Sequence, residues 1–249
     1  MAEFSTSLFS PIALTFFLAG LVKGVTGMGL PTVAMGILGA FMPPVAAASL
    51  LIVPSAVTNV WQLLMGPSFW ALLNRLKFMM AGIVVGTVSG AFFIASGDMA
   101  VTSAALGAAL VIYALYSLIA RQLRVPDASE KWLSPLIGLT TGVVTGGTGV
   151  FVIPAVPYLQ GLDLKRDDLV QALGLSFTVS TIALAIGLGL QGALQVSDLG
   201  MSTLTIAPAL VGMWTGQLIR QRISAAAFRR WFLLGLVVLG TELMSRGLI

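Results

Sequence analysis

Charged residues punctuate this chain and leave long apolar stretches between them. Phe4 to Val22 carries no charge and is followed by the isolated Lys23. Gly24 to Asn74 is also uncharged, and Arg75 and Lys77 then precede the apolar run Phe78 to Gly97. Asp98 separates that run from Met99 to Ala120, and a polar segment follows at 121–131 with Arg124, Pro126, Asp127 and Glu130. Trp132 to Leu162 is uncharged and ends at a loop holding Asp163, Lys165, Arg166, Asp167 and Asp168. Asp198 divides Leu169 to Ser197 from Leu199 to Ile219. Arg220, Arg222, Arg229 and Arg230 precede the last apolar stretch, Trp231 to Gly247, which contains Glu242 and Arg246.

A helix needs about 20 apolar residues to cross a bilayer. Six stretches predict simple spans, at 45–65, 78–97, 99–120, 169–190, 199–219 and 231–247. Two more, 8–42 and 132–160, are interrupted by glycine clusters: Gly24-Val-Thr-Gly-Met-Gly29 and Gly142-Val-Val-Thr-Gly-Gly-Thr-Gly149. Glycine weakens a helix and lets the backbone turn tightly. Each cluster therefore predicts a pair of helices joined by a glycine loop, either crossing twice or dipping in and returning.

Basic residues favour the cytoplasmic side. The segments 66–77, 121–131 and 219–230 are placed inside, the short segments around Asp98 and Asp198 outside, and both termini outside. Arg246 at the outer end is a small violation.

The halves echo one another. Ala19-Gly20-Leu-Val-Lys-Gly24 aligns with Ile137-Gly138-Leu-Thr-Thr-Gly142, and Gly27-Met-Gly29 aligns with Gly147-Thr-Gly149. Each half reads as a broken pair plus three spans, an odd number of single crossings, so the second half is expected upside down. The expected division is a first membrane repeat at 1–120, a cytoplasmic linker at 121–131 and a second repeat at 132–249. Inverted repeats with broken helices are a feature of secondary transporters, which bind substrate near the midplane.

Composition sharpens the class. Of 249 residues, 57% are hydrophobic and 9% charged, whereas a soluble domain carries about 25% charged residues. A soluble enzyme is excluded, and an all-α polytopic membrane protein is expected. Cysteine and histidine are absent, which removes disulfides, thiol chemistry, Cys/His metal sites and histidine proton relays; no cofactor is expected. The net charge of +4 fits basic inner loops better than a nucleic-acid partner. The N-terminus lacks a cationic leader region, so the first apolar stretch is expected to stay in the mature chain.

Broken helices offer chemistry. A helix that restarts inside the membrane presents free N–H groups and the positive end of its dipole, a ready anion site. Such restarts are expected after Gly27 and Gly29 and after Gly146, Gly147 and Gly149, with Thr26, Thr145 and Thr148 adding hydroxyls. Lys23 is the only charge between Glu3 and Arg75, and an intramembrane charge defaults to function. Its expected counterpart is Thr141, which makes the site asymmetric. Asn59 and Thr178 are candidate cavity-wall residues; Thr58, Gln62, Gln171, Ser176 and Ser180 rank beside them. The competing readings are snorkelling for Lys23, close packing for the glycines and back-bonding for the hydroxyls. Glu242 is the one carboxylate clearly inside a span, four residues from Arg246. Coupling through ordinary titrating side chains therefore finds little support. Proton and sodium both stay open as coupling ions, and a homo-oligomer stays open too.

These glycine patterns resemble a known family. Gly20-x-x-x-Gly24-x-x-Gly-Met-Gly29-Leu-Pro31, and its echo from Gly138 through Gly142, Gly146 and Gly149 to Val-Phe-Val-Ile-Pro154, are similar to the TauE/SafE sulfite exporters, also called toluene-sulfonate uptake permeases. The resemblance covers nearly the whole chain. It implies transport of sulfite, sulfoacetate or related organosulfonates across a bacterial cytoplasmic membrane, and often eight spans. Met28 departs from the most glycine-rich form of the pattern, and Lys23 is not implied by the family. An anion channel of the same fold and a non-transporting membrane assembly protein are the alternatives to a carrier.

Overall fold

The computed structural model describes residues 2–119 and 124–246. Among them every regular element is an α-helix. The first half contains α1 (Ala2–Thr26), α2 (Leu30–Gly39), α3 (Pro44–Leu64), α4 (Phe69–Ser96) and α5 (Met99–Ile119). The second contains α6 (Asp127–Thr148), α7 (Ala155–Gln160), α8 (Arg166–Leu190), α9 (Val196–Leu204), α10 (Ile206–Arg220) and α11 (Ala225–Arg246). Part of the expected linker, residues 121–123, lies outside the described residues, and from Asp127 onward the rest is already α6.

Among the described residues, five helices are long and apolar enough to cross a membrane: α1 over Phe9–Thr26, α3, α4, α5 and α8. Four of the six expected simple spans are thus single helices of the expected kind. The stretch 199–219 is not one span, because α9 and α10 meet at Thr205. Asp198 lies within α9 rather than in a loop. Pro208 has no amide hydrogen to donate to the Leu204 carbonyl four residues earlier, where α9 ends, and α9 packs on a second proline-interrupted helix, α3. Pro54 lacks an amide hydrogen, which leaves the Leu50 carbonyl without its helical donor. Ser202 of α9 donates to Leu50 O at 2.6 Å and accepts from Val53 N at 3.1 Å.

The first glycine break falls where expected. Gly27 and Gly29 have φ of 80° and 97°, a region open to glycine at little cost, and α2 restarts at Leu30. The second break is displaced. Gly142, Gly146 and Gly147 lie inside α6, which continues to Thr148 and stops at Gly149 with φ 70°. The non-helical residues are 150–154, an apolar segment packed in the core, and α7 is only six residues long.

The glycines inside α6 serve packing. A Cβ on Gly138, Gly142 or Gly146 would lie 2.1, 2.4 or 2.3 Å from the carbonyl oxygens of Met79, Ile83 and Thr87 on α4. In return, a Cβ on Gly86 or Gly90 would lie 2.3 or 2.7 Å from those of Leu139 and Val143 on α6. The same contact recurs between α1 and α10. There Gly20 and Gly24 meet the Ala209 and Met213 carbonyls at 2.1 and 2.2 Å, and Gly212 and Gly216 meet those of Phe17 and Leu21 at 2.0 and 2.2 Å. Small residues let membrane helices approach to backbone contact.

Contact order along each pair gives direction. Residue numbers rise together in α4/α6 and in α1/α10, so those pairs run parallel. They run oppositely in α3/α8, where Gly66 meets Gln171, Leu63 meets Gly174 and Asn59 meets Thr181. They also run oppositely in α5/α11, where Gly107 and Gly240 face each other's carbonyls. Each half lends one helix to the other, so the core is shared.

Candidate functional site

Lys23 is held inside the bundle. Gly20 and Gly24 turn one face of α1 against α10, and this aims Lys23 at α3. The side chain is 3% exposed. Its Nζ donates to Thr58 Oγ1 at 3.1 Å and to Asn59 Oδ1. None of the ion pairs among the described residues involves it: these are Arg75 with Glu130, Arg124 with Asp163, and Arg246 with Glu242.

The two acceptors are fixed as acceptors by their own bonds. Thr58 donates its single hydroxyl hydrogen to Pro54 O at 2.8 Å, leaving its lone pairs for Lys23. Thr181 donates its hydroxyl to Phe177 O at 2.7 Å, so it can only accept from Asn59 Nδ2 at 3.2 Å. The amide of Asn59 is thereby oriented with Oδ1 toward Lys23.

A cavity of about 500 Å³ opens beside this group, with Lys23, Gly27, Thr58, Gln62, Gln217 and Arg220 among its lining residues. No Asp or Glu among the described residues lines it. A Cβ on Gly27 would meet nothing within 4 Å, consistent with open space at the break. Gln62 ties the break to its neighbours, donating to Gly27 O at 3.1 Å and Val170 O at 2.9 Å. Its Oε1 is buried and has no partner among the described residues. A second cavity, of about 340 Å³, includes Thr26, Met28, Tyr113 and Arg229 in its lining. Arg220 lines both, so Lys23, Arg220 and Arg229 surround the first break.

The expected residues divide accordingly. Lys23, Gly27 and Asn59 come together at or behind the first cavity. Thr26 turns back on its own helix, bonding Val22 O at 2.8 Å and accepting from Met28 N at 3.3 Å. Gly29 packs near Val22 and Phe232 and caps α2. At the second break Thr148 repeats the role of Thr26, bonding Val144 O at 2.6 Å and accepting from Val150 N at 3.2 Å. Thr145 bonds Val150 O at 3.3 Å. Gly146 is filled by α4, Gly147 lies near Phe93, and Gly149 lies against Met35. Thr178 bonds Gly174 O within α8. No contact among the described residues brings the second break to Lys23, and α7 is too short to offer the helix end expected there.

Three contributors were not expected. Arg220 reads in sequence as a loop charge, yet it closes α10 at the cavity. Gln217 stands one turn before it on the same face, a pairing visible in the sequence. Thr181, which orients Asn59, carried no sequence signal beyond its hydroxyl.

Thr26 and Thr148, which make matching bonds, stand 122 residues apart, as do Lys23 and Thr145. Gly20 and Gly142, Gly24 and Gly146, and the bonded pair Asn59 and Thr181 share that spacing.

No curated protein and no solved structure matches the chain significantly. A family model described as sulfite exporter TauE/SafE matches residues 12–243. With helices fit to span a membrane and a glycine-broken helix beside a buried lysine, the chain belongs to the TauE/SafE sulfite exporter family, a family of membrane transporters for sulfite and related anions.

Proposed function

We propose that this chain is a carrier for a small sulfur-containing anion, sulfite or an organosulfonate, across the bacterial cytoplasmic membrane, with membrane lipid around it. The anion sits in the cavity between α1, α3 and α10. The observation that carries this reading is Lys23: a buried amino group with no carboxylate partner among the described residues, beside a cavity that Arg220 also lines and no described acid does. A cation or amine substrate would meet repulsion there. Lys23, Gly27 and Gln62 form the first contacts, and Asn59 fixes Lys23 from behind. Neither a metal nor an enzymatic group has a part in this scheme.

The carrier reading draws support from the packing. The self-paired helices α3/α8 and α5/α11 are antiparallel. A two-fold axis that exchanges antiparallel partners lies across the helices, in the membrane plane. We take the halves 1–120 and 132–249, joined by 121–131, as inverted repeats about that axis. The Asn59–Thr181 bond joins two equivalent residues and lies on the axis, near the bilayer midplane. Lys23 is therefore at the depth where alternating access needs its site. The asymmetry between Lys23 and Thr145 leaves one cation at the centre.

The test is a melting panel on detergent-purified protein with sulfite, methanesulfonate, sulfate, taurine and sodium, for wild type and Lys23→Met. Ligand binding to the folded state raises apparent stability by mass action. A shift with a sulfur oxyanion that Lys23→Met removes is expected. Stabilisation by sodium or an organic cation alone would overturn the anion site. Saturable flux into vesicles, without conductance, separates a carrier from a channel.

A further inference from the structure

We propose that Lys23 is the proton-coupling group: it takes up a proton as the anion binds and gives it up as the anion leaves, so anion and proton cross together. This inference rests on the anion-carrier reading above. It starts from a count of hydrogens. Thr58 Oγ1 and Asn59 Oδ1 are both locked as acceptors, one by its bond to Pro54 O and the other by the Asn59–Thr181–Phe177 chain. Lys23 Nζ meets these two acceptors and no other protein partner among the described residues. A neutral amine has two N–H donors, and the two acceptors use both. An ammonium has a third N–H and a full charge, and no carboxylate is there to meet either one. Buried charge is tolerated when paired and hydrogen-bonded. An oxyanion in the adjoining cavity supplies the missing acceptor and the missing charge at once.

The empty site is thus complete with the amine, and the loaded site is complete with the ammonium. The balance is simple: amine, proton and monoanion give an ammonium–anion pair, and release returns all three. Moving that pair carries no net charge through the centre of the bilayer.

The surroundings hold nothing that could take over this role. Among the described side chains of α1 there is no second titratable group, and α2 and α3 have none. Arg220 from α10 lines the same cavity, and Arg229 from α11 and Tyr113 from α5 line the neighbouring one. On α11, Arg230 stands beside Arg229 at the start of the helix, while Glu242 is paired with Arg246 at its end, where Arg246 also bonds Ala40 O. The acids Asp167 and Asp168 open α8, which borders the Lys23 cavity through Val170, and neither acid is among the residues that line it. Guanidinium groups do not titrate in the working range, and the Tyr113 phenol lines the neighbouring cavity and not the one at Lys23, so pH dependence at the Lys23 cavity reports on Lys23.

The decisive experiment is calorimetric titration of wild-type protein in detergent with methanesulfonate, which stays a monoanion throughout, and with sulfite. It is run from neutral to alkaline pH in two buffers of different ionisation enthalpy. Uptake approaching one proton per methanesulfonate is expected at alkaline pH, with Kd rising about tenfold per pH unit once the empty site is neutral. Lys23→Arg keeps a cation that cannot deprotonate. It is expected to bind with neither proton uptake nor pH slope, and in vesicles to equilibrate the anion without responding to a pH gradient. If that variant does not fold, the wild-type proton count decides alone. Binding without proton uptake at any pH overturns the coupling role and leaves the anion site standing. Failure of both anions to bind overturns the anion site and the coupling role together.

Discussion

Ser202 replaces the donor that Pro54 denies to α3. Its hydroxyl reaches Leu50 O at 2.6 Å and its oxygen receives Val53 N at 3.1 Å. The first half's third helix is therefore completed by a residue of the second half. Ser202→Ala leaves that buried carbonyl unmet, at a cost of about 1–3 kcal/mol. Thermal unfolding in detergent checks this. A melting point equal to wild type would show that Leu50 O finds another donor. Thr203→Ala, whose exposed hydroxyl bonds only within its own helix, is the comparison.

The parallel contacts α4/α6 and α1/α10 are built on glycine, and their energetics should match. A Cβ at Gly142 lies 2.4 Å from Ile83 O, and one at Gly20 lies 2.1 Å from Ala209 O. Both neighbours are backbone and cannot rotate away, so the helices must separate. Gly142→Ala and Gly20→Ala are each expected to lose about 1–3 kcal/mol. Gly235→Ala, with nothing within 4 Å, is expected to be neutral or slightly stabilising, since alanine favours a helix. Equal melting of all three variants would contradict the close approach.

Much of this was readable in advance. The spans α3, α4, α5 and α8 follow from uncharged stretches between charges. The first break follows from Gly27 and Gly29, where positive φ leaves little choice but glycine. The second break was misplaced because a glycine cluster has two uses. Gly138, Gly142 and Gly146 stand four apart, and so do Gly82, Gly86 and Gly90 on α4. That shared spacing marks a helix contact rather than a loop. The same period leaves two alignments of the halves: glycines every fourth residue align nearly as well when shifted by one turn, and the shift exchanges Thr141 for Thr145. The role of Asn59 was only partly legible, because its orientation depends on Thr181 across the bundle. Arg220 was hidden by its place at a helix end, where a basic residue ordinarily reports orientation.

Orientation has a direct test, since the chain has no cysteine and single cysteines carry no background. Asp98 and Arg124 are exposed at opposite ends of the α4–α6 region. With basic segments inside, Asp98→Cys is expected to react with an impermeant maleimide added to intact cells. Arg124→Cys is expected to react only after the membrane is opened. The reverse pattern would invert the topology and place the Arg220 mouth outside.

Arg220 lines both cavities beside the first break, so it should act on the arrival of the anion more than on its central binding. Charge at a mouth raises the local concentration of an oppositely charged ligand, and salt screens the effect over about 10 Å at 0.1 M. Arg220→Gln is expected to raise the KM for sulfite or sulfonate flux about 3–10-fold at low ionic strength, with kcat largely kept. The gap to wild type should narrow as salt rises. Lys23→Met should behave differently, because the third hydrogen and the charge at the centre are lost at any salt concentration. Vesicle flux measured across ionic strength, for both variants beside wild type, separates the two roles. An Arg220→Gln deficit that persists unchanged at high salt would make Arg220 a direct ligand rather than a steering charge.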